Sequence, residues 1–211
     1  MRSFPIMVTV DLRQEAARQR HLFADRIESL DESSWDESSW CAGWRVRDVL
    51  AHLVRNAEST PLSLVGDLFL GGFRPDYSVS KAAYRLSAEP VPELVDRLRR
   101  AADERLHSGG SVTPFGIGDI LVHSADAFRP LGHEVEVVPA VAAAVLDAYW
   151  DKARMVVHAA PHRGRRLVAA DHDWSRGSGP EVRGRTIDLV LLVANRRQAL
   201  SSLEGPGLAG L

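Results

Sequence analysis

Apolar residues recur at helical spacing from Val8 to about Leu30, with acids and bases alternating on the other face, so the chain is expected to begin with an amphipathic helix. The next stretch, DESSWDESSWCAGW (Asp31 to Trp44), breaks the period, because Ser, Asp and Gly compete for their own backbone hydrogen bonds and favour turns. DESSW is written twice there; a tandem of five residues is too short for a solenoid repeat and reads as a loop pinned by tryptophans. The helical period returns from Arg45 to about Leu70, where Val46, Val49, Leu50, Leu53 and Ala57 share one face. This second helix is expected to bend or restart near Pro61 and to end at GGFRPDYS. A third runs from about Pro92, a first-turn proline, to His107, closed by Gly109 and Gly110. A fourth opens near Phe115 and carries Ile117, Ile120, Leu121 and Phe128 on its apolar face until Pro130 and Gly132 stop it. A fifth spans Ala140 to about Ala160.

The texture changes after Pro161. RRLVAADHDW and GPEVRG read as strands around a Gly-rich turn, SRGSG, and Thr186 to Leu203 reads as a single amphipathic helix. Short connections between the helices favour an antiparallel bundle. The expected fold is therefore mainly α: a helical bundle over residues 1–160 and a small C-terminal α/β domain over residues 161–211.

Composition narrows the classes of function. Hydrophobic residues at 45% and charged residues at 26% are those of a globular chain, and no apolar run approaches the roughly 18 residues of a spanning helix. The start, MRSFPIMVTV, lacks the form of a signal peptide, so a cytoplasmic protein is expected. Net charge is −2 with both signs interspersed and no basic stripe, which argues against nucleic acid as a partner, as the lack of a spanning run argues against a membrane. HRGRR (His162 to Arg166) is the densest basic patch and reads as a solvated turn. The single cysteine, Cys41, has no internal partner, so any thiol chemistry would draw on a thiol from outside the chain.

One pattern carries candidate chemistry. An Asp is followed four residues later by a His at Asp48/His52 and again at Asp119/His123, each on the flank of an apolar stripe. Residues four apart lie side by side on a helix, so each pair could offer an oxygen and a nitrogen to one point, and facing helices could bring the pairs together at the mouth of a bundle. Such mixed donors suit zinc, nickel or iron better than magnesium or calcium. The spacing is equally that of a surface pair or of a buried His held by a hydrogen bond. Asp48 sits in a first turn, where it favours the helix dipole and can pair with Arg45 or Arg47; as an alternative it could orient a ligating His. Asp126 could receive the other N–H of His123, or bond to Arg129. His133 reads as a loop residue, and His21, His107, His158, His162 and His172 as surface or capping residues. Trp35, Trp40 and Trp44 are expected to wall the bundle, and Trp174 to pack the small domain against it. Arg176, Arg183 and Arg185 could hold a carboxylate or stand as solvated turn residues.

WCAGWRVRDVLAHLV (Trp40 to Val54) and GDILVHSADAFRPLG (Gly118 to Gly132) resemble the signatures of the mycothiol-dependent maleylpyruvate isomerase family, the metal-binding branch of the DinB-like four-helix bundles. LVAADHDWSRGSGPEVRG (Leu167 to Gly184), with DLVLLVANRRQALSSLEGPG after it, resembles the small C-terminal domain of many members. The resemblance implies a divalent metal, zinc before nickel, held by His52, Asp119 and His123. It departs from the well-studied type in having Asp119 where that type has Glu. It further implies mycothiol or a similar low-molecular-weight thiol as cofactor and a small electrophilic substrate, in an isomerase or S-transferase; a homodimer is allowed. The alternative is a non-catalytic metal-binding sensor or interaction protein on the same bundle.

Overall fold

The computed structural model of the 211-residue chain describes residues 11–59, 82–107, 112–151 and 160–211. Helix α1 (Leu12–Glu28) begins where Asp11, in extended backbone, accepts hydrogen bonds from the amides of Arg13 and Gln14 and satisfies two of the orphan donors of the first turn. Its inward face is Ala16, Phe23, Ala24 and Ile27, each nearly inaccessible. The Trp-rich loop follows as a 3-10 turn (Glu32–Asp36), with Trp35 Nε1 donating to the Ile27 carbonyl at 3.2 Å. Helix α2 (Val46–Glu58) buries the expected stripe of Val46, Val49, Leu50, Leu53 and Ala57 and gives way to extended backbone at Ser59. The region of Pro61 and GGFRPDYS lies outside the described residues, as do Gly109 and Gly110, residues 152–159 of the expected fifth helix, His158 and the His107 side chain.

Helices α3 (Val91–His107) and α4 (Pro114–Phe128) complete the bundle. Thr113 caps α4 through the Gly116 amide, Pro114 occupies its first turn, and a 3-10 turn with Gly132 at φ 82° ends it. Helix α1 packs on α3 and α4, and α2 packs on the same two, so the four close into a ring. Helix α5 (Pro139–Trp150) lies against α4. The close approach depends on Gly118, where a Cβ would fall 2.5 Å from the Tyr149 hydroxyl.

The C-terminal segment adds three strands, β1 (Arg166–Ala169), β2 (Ser175–Gly177) and β3 (Glu181–Gly184), in the order β2-β1-β3. Strand β1 pairs antiparallel with β2 (Leu167 opposite Arg176) and parallel with β3 (Leu167 opposite Val182). The expected turn SRGSG thus contains a strand, with bends on either side of it, at residues 170–173 in the Asp-rich part of AADHDW and at 179–180. The expected single amphipathic helix from Thr186 to Leu203 is also corrected. Helix α6 covers only Thr186–Val193 and is buried on every face, and a 3-10 turn (Arg197–Ser202) follows it. Asn195 at φ 60° breaks the helix: the Asn195 amide donates to Leu192 O at 2.9 Å and the Arg196 amide to Leu191 O at 2.8 Å, the paired bonds of a left-handed helix end.

Helix α6 packs on α5, and one apolar cluster runs from Leu50, Leu94 and Leu121 through Leu146 to Leu167, Ile187 and Leu189. Each such side chain contributes about 1.5–3 kcal/mol on burial. The molecule is mainly helical, a four-helix bundle with a small C-terminal α/β unit, and no helix among the described residues is long and apolar enough to cross a membrane.

Candidate metal centre

The apolar stripe of α2 faces the bundle interior, and His52, one position from Leu53, stands at its flank with 6% of its surface exposed. On α4, Asp119 and His123 are one turn apart and share a face. Because α2 packs on α4, the three side chains meet. His52 Nε2 lies 3.5 Å and His123 Nε2 3.6 Å from Asp119 Oδ1, and the two imidazole centroids are 4.5 Å apart. One donor atom from each of the three falls within 4.8 Å of the others. Ligand atoms around a tetrahedral zinc with bonds near 2.0–2.1 Å stand about 3.3 Å apart, so this triangle is close to the size such an ion requires.

Trp44, 9% exposed, walls the site: its ring stacks on His123 at 6.0 Å and meets His52 edge-on at 5.2 Å. Asp119 keeps 34% of its side chain accessible. Asn56 bridges two of the three donors, its Nδ2 lying 3.0 Å from His52 Nε2 and 2.9 Å from Asp119 Oδ2. Sequence reasoning passed over Asn56, although it follows His52 by four residues and the same helical rule applied.

Behind His123 lies a second layer. Its Nδ1 is 3.1 Å from Asp126 Oδ2, which directs Nε2 toward Asp119. Asp126 is fully buried and takes a two-pronged hydrogen bond from Arg196, Nε at 2.8 Å and Nη2 at 2.7 Å. Arg129, the other partner considered for Asp126, bonds instead to Asp188 and Glu134. Cys41 Sγ stands beside this layer, 3.9 Å from His123 Nδ1 and 3.5 Å from Asp126 Oδ2. Cys41, His123 and Asp126 also lie close enough to hold an ion. There, however, both carboxylate oxygens already face a guanidinium, whose charge opposes a cation, and the His52 group is the better candidate.

The electrostatics follow from this layout. Desolvation would raise Asp119, but its contacts with His52 and Asn56 and the charge of His123 outweigh it and hold the carboxyl far below its usual range. Burial would lower His123; hydrogen bonds to Asp126 and Cys41 and the charges of both acids prevail and push it up to about 10. Burial likewise opposes ionisation of Asp126, yet Arg196 and His123 keep its pKa below that of a free carboxyl. The site thus holds two carboxylates around one imidazolium, a proton that a cation would replace.

Asp48 does not face this site. It accepts from the Arg45 amide at 2.9 Å and from the Arg45 guanidinium at 3.0 and 3.1 Å, closing the N-terminus of α2. Arg176 pairs with Asp147 and Asp151, Arg183 with Glu181 and Arg185 with Glu134, so none of the three points at the triangle. His162, read as a surface or capping residue within a solvated turn, is instead 1% exposed, its ring 4.6 Å from Trp150 and its Nε2 2.9 Å from the Trp150 carbonyl. Trp174 stacks edge-on against the same Trp150 and donates to Asp147.

The mycothiol maleylpyruvate isomerase N-terminal domain matches as a family model over residues 16–114, a span that includes His52 and stops short of Asp119 and His123. Crystal structures of a mycothiol-dependent maleylpyruvate isomerase, one of them a histidine-to-alanine mutant, superpose with a TM-score of 0.60 at 15% identity, covering 93% of each chain. At that identity the likeness is one of fold. No curated protein matches the sequence significantly.

Proposed function

We propose, for a chain whose residues 16–114 match the mycothiol maleylpyruvate isomerase N-terminal domain, that it is a divalent-metal-dependent enzyme using a mycothiol-type thiol on a small electrophilic substrate, as an isomerase or an S-transferase. The observation that carries this reading is the convergence of His52, Asp119 and His123 donor atoms within 4.8 Å. Two imidazoles and one carboxylate fit zinc first and nickel second, and three protein ligands leave one position for a further ligand. Bound there, the metal would lower the pKa of an incoming thiol and sustain a thiolate, the nucleophilic form, at neutral pH.

The chain's own residues do the rest. His52, Asp119 and His123 would hold the ion, with the Asn56 amide turning off the His52 lone pair while keeping its bond to Asp119. Trp44 shields the imidazoles from water on one side. The reacting thiol has to come from outside, since Cys41 is the one cysteine and lies on the far side of His123, against Asp126 and Arg196. The division into a bundle, 1–160, and a small domain, 161–211, and a cytoplasmic setting belong to the same reading. The test mixes zinc-loaded protein with mycothiol and a panel of activated alkenes and follows free thiol. Consumption faster than with His52→Ala supports an enzyme; equal rates, with zinc still bound by the wild type, remove the enzyme and leave a metal-binding sensor.

A further inference from the structure

Asp126 sits one turn beyond His123 on α4, has no exposed surface, and receives bonds from both His123 and Arg196. Arg196 comes from the opposite end of the chain, 70 residues later, and is itself held from three directions. Its amide closes the end of α6 on Leu191 O, its Nη1 donates to Ala194 O at 3.1 Å, and Asn195 in the left-handed region turns the chain so that the side chain points into the bundle. Two parallel N–H bonds fix the plane of a carboxylate as one cannot. A buried ion pair by itself is a weak stabilising device, but placed behind an imidazole it sets which ring nitrogen carries the proton and where the other aims.

We infer that Arg196 is a positioning residue of the metal centre: by clamping Asp126 it orients His123 Nδ1, and so aims His123 Nε2 at the point shared with His52 and Asp119. The inference rests on the metal reading above. It makes the C-terminal segment part of the centre although it supplies no ligand. Outer partners of ligating histidines typically change metal affinity 10- to 100-fold, and Arg196, one bond further out, is expected near the lower end, about tenfold.

Two measurements test it, on the full-length chain. In the metal-free protein, ¹⁵N-labelled histidine should give a His123 Nδ1–H resonance protected from solvent exchange, which Arg196→Ala broadens or loses while far-ultraviolet circular dichroism is retained. In chelator competition, zinc should dissociate from Arg196→Ala about tenfold more readily than from wild type, with Arg196→Lys between them. A protected Nδ1–H and an unchanged zinc constant in Arg196→Ala overturn the inference, even if its melting temperature falls, since that combination describes a structural pair only. Should Arg196→Ala not fold, Arg196→Lys decides, and wild-type values in both measurements overturn it. If the wild type takes up no zinc, the proposed function fails while the resonance still decides whether Arg196 positions His123.

Discussion

Asp48/His52 and Asp119/His123 are the same four-residue spelling on two helices, yet only the second pair works as a pair. Asp48 is the third residue of α2, where unpaired amides and the positive end of the helix draw it back to Arg45; His52, one turn on, is left to face α4 alone. Asp119 lies deeper in α4, past the Thr113 cap, where the local amides are already bonded. Its carboxylate is free to turn outward to His52, Asn56 and His123. What separates a capping acid from a candidate ligand is its distance from the helix start, not the spacing to the histidine.

The largest expected break in that comparison is loss of metal. His123→Ala should abolish stoichiometric zinc binding with helical content nearly intact, as read by zinc titration and circular dichroism. Asp48→Ala should bind zinc like wild type. Next in size is an effect on stability: Asp48→Ala removes charge-assisted bonds from a buried carboxylate and should cost about 2 kcal/mol in urea unfolding. The smallest effect is on pH. His123 is raised to about 10, above its unfolded value, so its stabilisation of the metal-free protein is complete below the unfolded pKa and fades as pH climbs through about 10. An entering cation displaces that proton, so zinc affinity should rise by at least about tenfold per pH unit between pH 7 and 9. A flat profile would place the ion away from His123.

Much of the arrangement could be read from residue order because it depends on local rules. The stripe from Val46 to Ala57 and the apolar face of α4 fix which sides of the helices pack, and therefore that His52 and the Asp119/His123 pair share a mouth. What stayed hidden was set by contacts distant in sequence or by competing local chemistry. Arg196 reaches Asp126 only because Asn195 ends α6 early, and the apolar run from Ile187 to Val193 gives no sign of that stop. His162 looks solvated amid arginines until Trp150 closes over it. The strand at Ser175–Gly177 was masked by glycines that read as a turn, although Gly177 lies at its end with φ 92°.

X-ray absorption at the zinc edge of the singly loaded, thiol-free protein reads out which atoms hold the ion. One zinc per chain is expected, with two imidazoles and further oxygen ligands near 2.0–2.1 Å, falling to one imidazole or to no bound zinc in His52→Ala. A sulfur ligand near 2.3 Å, which would bring in Cys41, or less than about half an equivalent of zinc retained, would contradict it.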